Sequence, residues 1–311
     1  MASSARHIPV MLQEVLQSLA PQAGKTYVDA TFGNGGYSEA ILEAATCRLI
    51  AIDRDPSVQQ RAEELKKKYG SRFSFKPGTF SQLSTLIKFP IDGIVFDIGV
   101  SSMQLDDGFR GFSFTKEAPL DMRMSMSGLS AKEIVNTYSE RSLADLIYNY
   151  GEEKKSRQIA AKIMEYRAQK PIEKTTELAE IIYKVMPKRT GQIDPATRTF
   201  QALRIAVNDE LNELRQGLQA ATDILSPGAR LVVVDFHSLE DRIVKNFFAE
   251  KTEKKVHLSR YKSVEQIVDK DKPFSYASKA IKPTEQECVS NPRARSAKLR
   301  YAIKRKETNN E

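Results

Sequence analysis

The chain has 311 residues, 41% of them hydrophobic and 28% charged, with 15 Gly and 13 Pro, a composition that excludes a collagenous or wholly disordered polymer and a length beyond the usual single domain of about 100–150 residues. Its net charge of +8 is unevenly placed: residues 108–207 hold seventeen basic and twelve acidic side chains, and residues 289–306 hold seven basic (Arg293, Arg295, Lys298, Arg300, Lys304, Arg305, Lys306) and none acidic. Segregated positive charge points to a polyanionic partner, against the plainer reading of cations kept for solubility.

Cys47 and Cys288 are the only cysteines, and His7, His237 and His257 lie far apart, so neither a disulfide framework nor zinc-ligand spacing is present and no metal is expected. No apolar run approaches the ~18 residues of a membrane span. Met1–Val10 lacks a basic segment followed by an apolar one. The expectation is a cytoplasmic protein without a membrane partner.

Four short apolar runs each end in an acid: Tyr27-Val28-Asp29, Leu49-Ile50-Ala51-Ile52-Asp53, Ile94-Val95-Phe96-Asp97 and Leu231-Val232-Val233-Val234-Asp235. They read as buried parallel strands. A helical stretch from Ser38 to Ala45 joins the first two, so the core is a doubly wound α/β sheet whose ligands belong off the carboxyl ends of the strands, where the acids stand. Asp97 and Asp235 are 138 residues apart, whereas one crossover needs roughly 30, so about a hundred residues are inserted. The insert carries helical apolar spacing in Ile134, Val135, Tyr138, Leu143, Leu146, Ile147, then Ile159, Ile163, and Leu178, Ile181, Ile182, Val185. Asp194-Pro195 starts a further helix, the stripe Phe200, Leu203, Val207, Leu211, Leu214, Leu218 continues to Leu225, and Ser226-Pro227-Gly228 ends it; if unbroken, that helix is about 30 residues long. Alternation of Ala297, Leu299, Tyr301 and Ile303 with Lys298, Arg300 and Ala302 predicts a final strand. The domains are then 1–107 and 208–311, two parts of the sheet core, and 108–207, the helical insert.

Asp29-Ala30-Thr31-Phe32-Gly33-Asn34-Gly35-Gly36 links the first strand to the first helix, where a loop can approach a ligand closely. Asp53 ends the second strand 18 residues after Gly35, where a carboxylate can accept both hydroxyls of an adenosine ribose. A dinucleotide fingerprint would place Gly or Ala at position 38, which is Ser38. The pattern acid-x-x-x-Gly-x-Gly instead suits S-adenosylmethionine, which has no pyrophosphate; Asp29 either offsets the methionine ammonium or caps the turn.

After Asp97 come Gly99-Val100-Ser101-Ser102-Met103-Gln104-Leu105-Asp106-Asp107, Gly108-Phe109-Arg110-Gly111-Phe112-Ser113-Phe114 and Pro119-Leu120-Asp121-Met122-Arg123-Met124; downstream stand Phe236-His237-Ser238-Leu239-Glu240-Asp241-Arg242 and Asn291-Pro292-Arg293-Ala294-Arg295-Ser296. In these blocks and their order, over essentially its whole length, the chain resembles the bacterial small-subunit ribosomal RNA methyltransferase H family. The resemblance implies a class I S-adenosylmethionine methyltransferase: a Rossmann-like sheet with an inserted helical domain for substrate recognition. The implied reaction is N4-methylation of a cytidine in the decoding region of small-subunit ribosomal RNA, with that RNA or the 30S subunit as partner. It places cofactor contacts at Gly35, Gly36, Tyr37, Asp53, Phe80, Asp97 and Gln104. Tyr37 stands where histidine is commonest in that family, Met103 where proline is common and Asp235 where serine is frequent.

The lone pair of cytosine N4 is delocalised into the ring, so a site must accept hydrogen bonds from the amino group and align it with the methyl–sulfur bond. Amino methyltransferases commonly use an Asn/Asp-Pro-Pro-aromatic sequence for this; Asp97-Ile98-Gly99-Val100 has neither the prolines nor the ring. The acceptor is therefore open between a backbone carbonyl, Asp106 and Asp107, and the stacking ring among Phe109, Phe112 and Phe114, against the plainer reading of a turn and core rings. His237 follows an acid-ended strand and either contacts the base or a phosphate, or is a buried structural histidine. Two rivals remain: a nicotinamide-dependent oxidoreductase, disfavoured by Ser38, and a non-enzymatic RNA-binding assembly factor. The oligomeric state is left open.

Overall fold

Val28 stands opposite Ile50 on one side and Ile94 on the other, and none of the three is more than slightly exposed. Side chains with branched β-carbons that are buried on both faces of a pleated strand favour a parallel sheet covered by helices. The computed structural model describes residues 9–100, 104, 108–253 and 272–306. It separates into two compact units, one formed by residues up to 99 and from 213 onward, the other by residues 100–212.

In the first unit the chain runs α1 (Leu12–Leu19), β1 (Thr26–Asp29), α2 (Gly36–Ala44), β2 (Arg48–Asp53), α3 (Gln59–Tyr69), β3 (Phe73–Pro77), the short α4 (Leu83–Leu86) and β4 (Ile91–Asp97). After the second unit it resumes with β5 (Leu225–Asp235), α11 (Ser238–Lys251), β6 (Phe274–Ala277), α12 (Glu285–Ser290) and β7 (Lys298–Lys304). The sheet order is β3-β2-β1-β4-β5-β7-β6. β1 to β5 are parallel, and β7 runs antiparallel between β5 and β6. An all-parallel dinucleotide sheet has no such reversed strand. The chain winds outward from β1 through β2 to β3 and then begins again with β4 on the other side of β1. This makes the ends of β1 and β4, Asp29 and Asp97, the switch point at which such sheets bind ligands.

Alternate residues build two cores. Tyr27, Val95, Val232 and Val234 face one helical layer with Val15, Ile41 and Leu65, while Val28, Ile94, Phe96 and Val233 face the other with Leu214, Leu218 and Val244. β7 is the final strand expected from alternation, and its cations are anchored: Lys298 Nζ and Arg300 Nη2 each lie 2.7 Å from the Asp241 carboxylate of α11. These two of the seven C-terminal basic residues therefore hold a helix to the sheet. β6 escaped the sequence reading because four residues, Phe-Ser-Tyr-Ala, are too short a run for alternation to register.

The second unit contains α5 (Ala131–Thr137), α6 (Glu140–Gly151), α7 (Ser156–Arg167), α8 (Thr175–Val185) and α9 (Ala196–Asn208), packed on Leu120, Ile134, Leu143, Ile147, Ile159, Leu178 and Phe200. The long helix expected from Asp194-Pro195 is in fact two. Asp209 adopts a left-handed conformation (φ 49°) and separates α9 from α10 (Glu210–Ile224). Asn208 Nδ2 donates to Met122 O and its Oδ1 accepts from Met124 N, both at 2.8 Å, while Arg204 spans the break with two 2.8 Å bonds to Glu210. Aspartate tolerates that conformation, and one such residue leaves the apolar spacing unaltered, so no Gly or Pro marked the break. Among the described residues no helix is long and apolar enough to cross a membrane.

Gly151, at the end of α6, is a close-approach point: a Cβ there would lie 2.5 Å from the carbonyl oxygen of Arg198 in α9. Gly151→Ala must push two helices apart and should lower the stability of the chain by about 1–3 kcal/mol. Urea denaturation checks this; an unchanged midpoint would show that the helices absorb the methyl group without strain.

Candidate cofactor site at the strand ends

The loop after β1 is fastened at three points. Asp53, at the end of β2, accepts from Gly33 N through Oδ2 at 2.7 Å and from Asp55 N through Oδ1 at 2.9 Å. Asp29 accepts from Thr31 N at 3.2 Å and from Ser38 Oγ at 2.7 Å. Thr31 Oγ1 in turn accepts from Asp97 N at 2.6 Å, which ties the loop to the end of β4. Gly35 has φ 74°, and a Cβ there would sit 2.8 Å from the Phe32 ring; a Cβ at Gly36 would overlap Pro9. Both glycines thus allow backbone to lie where side chains could not. Tyr37 is buried with its hydroxyl donating to Val10 O, so its ring anchors the segment before α1. Burial pushes its phenol well above its usual range.

The acids at this rim differ in how they are satisfied. Burial pushes the Asp53 carboxyl up, opposed by the N–H groups of Asp55 and Gly33. Asp29 is fully buried and raised to about 6, again by burial first. Asp97 is raised to about 8 by burial and then by the charges of Asp29 and Glu240, and its Oδ1 has no hydrogen-bond partner among the described residues. Asp235, at the end of β5, is 1% exposed, has neither oxygen partnered among the described residues, and is also raised to about 8, by burial and then by Asp241 and Glu240. A desolvated carboxyl without a donor holds its proton until a cation arrives.

Phe80 follows β3 with its ring edge-on to Phe96, centroids 5.5 Å apart. Gly217 of α10 makes room for it, since a Cβ there would approach the Phe80 ring to 2.6 Å. Sequence reasoning missed Gly217; an isolated glycine inside a helical stripe was the available signal. His237 heads α11: its Nδ1 accepts from Glu240 N at 3.5 Å, and Glu240 Oε2 accepts from Phe236 N and His237 N. Its Nε2 lies 3.0 Å from Glu240 Oε1. The imidazole is thus a helix cap, which is the structural reading of that residue.

The remaining candidates belong to the second unit. Gln104 is buried. Phe112 is 7% exposed within the helical core, and Phe114 packs edge-on against Phe200 at 5.2 Å. Both rings are committed to that core, so of the three stacking candidates these two are corrected to packing residues. Phe109 is 84% exposed, on a turn whose Arg110 donates to the carbonyls of Arg123 and Met124 at 2.9 Å. Asp106, Asp107 and Met103 lie outside the described residues.

A switch-point glycine loop, an acid ending β2, a ring after β3 and one reversed strand define an α/β protein of the nucleoside-cofactor methyltransferase class. Residues 4–305 match the MraW methylase family. Similar proteins include ribosomal RNA small subunit methyltransferase H of Rickettsia conorii, 54% identical over 298 residues, which are 95% of this chain and 97% of that protein. The protein of the same name from Rickettsia africae matches equally, and that of Rickettsia akari is 53% identical over 300 residues, 96% of this chain and 98% of that one. The chain belongs to the MraW methylase family.

An acid whose folded pKa is raised keeps a proton that the unfolded chain has lost, so it subtracts stability as pH rises from about 4 to about 8. Asp235→Asn removes one such group. The variant should be more stable than the parent at pH 8.5, by on the order of 1–3 kcal/mol, and indistinguishable near pH 4. Equal stability of the two chains at pH 8.5 would show that Asp235 finds a donor.

Proposed function

We propose that this chain transfers a methyl group from S-adenosylmethionine to N4 of a cytidine in the decoding region of small-subunit ribosomal RNA. The observation that carries the reading is the set of buried, incompletely satisfied acids at the strand ends, above all Asp97 Oδ1. They suit a cofactor that is cationic at both sulfur and amino group. A dinucleotide would bring a pyrophosphate to the same rim, where like charge at low dielectric is costly, and this disfavours the nicotinamide rival.

The residues present fit such a cofactor. Asp53 would hold the ribose hydroxyls with the lone pairs left over from Gly33 and Asp55, Phe80 would pack on the adenine, and Asp97 would face the methionine ammonium. The bound cofactor supplies an electrophilic methyl group. The chain's own work is then to strip water from the acceptor, hold the base unpaired and accept its amino proton. Because N4 lies on the pairing edge, the base must leave any duplex. Phe109, exposed beside a turn that Arg110 braces, is the ring assigned to stack on it. An RNA substrate of this kind places the reaction in the cytoplasm, on free RNA or on the 30S subunit.

The reading is tested by incubating the full chain with small-subunit RNA or 30S subunits and labelled cofactor, followed by mass spectrometry of the nucleosides. N4-methylcytidine is expected, and its absence with both substrates would overturn the reading. In the same assay Phe109→Leu should lower turnover or RNA binding by about ten- to a hundredfold, with cofactor affinity unchanged. Normal transfer by that variant would mean that another group stacks on the base.

Cofactor affinity should itself depend on pH. A cation binds the ionised form of Asp97, so affinity should rise by up to tenfold per pH unit from pH 6 and level off above about 8. Asp97→Asn should bind more weakly at pH 8 and show a flatter profile. A pH-independent affinity in the parent chain would remove Asp97 from the cofactor site.

A further inference from the structure

Between α6 and α7, on the surface of the second unit, lies a groove of about 310 Å³ lined by Tyr148, Lys154, Lys155, Ser156, Arg157 and Gln158. Its chemistry is one-sided. Lys154 and Lys155 are exposed, and neither is ion-paired to an acid among the described residues. Arg157 is 79% exposed and reaches Asp145 only at 4.0 Å, while Asp145 is shared with Arg141 at 3.8 Å. Of the two acids in the intervening turn, Glu152 is exposed and Glu153 is turned inward, its carboxylate accepting from Lys155 N at 2.9 Å and lying 3.7 Å from Arg198.

Tyr148 is 58% exposed in the midst of these cations. A large aromatic ring left in water beside three cations has the make-up of single-stranded nucleic-acid sites, where the ring stacks on a base and the cations follow the phosphates. The turn is also held in place before any ligand arrives. Glu152 is in the left-handed region (φ 51°), Glu153 braces the backbone from beneath, and Gly151 packs against Arg198. Little further ordering is required on binding, which favours affinity.

We infer that this groove docks the sugar–phosphate backbone of the RNA substrate, with Tyr148 stacking on an unpaired base outside the reaction centre. The inference rests on the RNA-methyltransferase reading above and adds to it a surface on the inserted unit. An acidic protein surface is the competing occupant, but it would leave the exposed ring without a role.

The test measures binding of a small-subunit RNA fragment by the full chain across a range of salt concentrations. Lys154→Ala/Lys155→Ala/Arg157→Ala should weaken binding at least about tenfold near 0.1 M salt and flatten the log–log salt slope by about 0.7 for each lost single-strand contact. Tyr148→Leu should weaken binding while Tyr148→Phe preserves it, because stacking needs the ring and not the hydroxyl. Cofactor binding and the unfolding midpoint serve as fold controls, and these exposed side chains should leave both unchanged. Unchanged affinity and slope in the triple variant would overturn the inference, as would loss of binding to 30S subunits with binding to naked RNA intact, which would identify a protein occupant. If the parent chain binds RNA but makes no N4-methylcytidine, the proposed function fails while the groove is still judged by the binding curves. If the parent methylates normally and the triple variant binds RNA like the parent, only the groove assignment falls.

Discussion

Thr31 accepts a hydrogen bond from the backbone N–H of Asp97 at 2.6 Å, and much of the candidate site depends on that bond. It joins the loop after β1 to the end of β4 across the point where the winding of the sheet reverses. The other side of the loop is held by Asp53, through Gly33 N. With both sides fixed, Gly35 keeps a positive φ beside the Phe32 ring, and the loop is tied to the ends of β2 and β4. A preorganised loop costs little entropy when a ligand binds, and the acids that fasten it stay close to where that ligand's charge would lie.

Those acids divide by how far the backbone satisfies them. Asp53 and Asp29 each take two donors and so serve the fold. Among the described residues, Asp97 has an oxygen without one, and Asp235 has two. Carboxyl oxygens buried without donors are unfavourable when ionised; burial raises Asp97 and Asp235 to about 8, whereas Asp29, whose burial is opposed by hydrogen bonds from Ser38 and Thr31, rises only to about 6. The cost is local and is offset where a cation binds. It therefore favours ligand binding at the expense of stability, a trade common at functional sites. Asp235 faces a different set of charges from Asp97, dominated by Asp241 and Glu240. Asp241 in turn is held below the usual carboxylate range, against its own burial, by hydrogen bonds from Lys298 and Arg300.

The sheet was legible because buried strands leave a one-dimensional mark: four apolar runs closed by acids, with the glycine loop after the first. Helix boundaries in the second unit were less so. The left-handed turn at Asp209 is set by Asn208 reaching Met122 and Met124, contacts more than eighty residues away in sequence that no local spacing records. The three rings that follow β4 have the same composition and spacing whether they are core or exposed; only packing against Phe200 separates Phe114 from Phe109. His237 illustrates the same limit, since its role as a cap depends on where Glu240 N points. The cofactor contacts expected on the first unit came from the strand-end acids, the glycine loop and the family resemblance, whereas Asp106 and Asp107 lie outside the described residues.

The distribution of positive charge bears on how RNA is engaged. The C-terminal basic run looked like the strongest polyanion site, yet two of its members, Lys298 and Arg300, share the Asp241 carboxylate with side-chain exposures of 34% and 12%. Moving either onto a phosphate would leave a partly buried aspartate with one donor fewer, beside Asp235, whose two oxygens have no donor among the described residues. That penalty works against the phosphate attraction, because removing one partner of a desolvated pair strands the other charge. Three cations on the inserted unit carry no such cost: Lys154, Lys155 and Arg157 are exposed, Lys154 and Lys155 have no ion pair among the described residues, and Arg157 meets Asp145 only at 4.0 Å. Lys154, Lys155 and Arg157 of the insert can thus give their charge to a polyanion without unmaking a pair that holds the fold, whereas Lys298 and Arg300 of the final strand cannot.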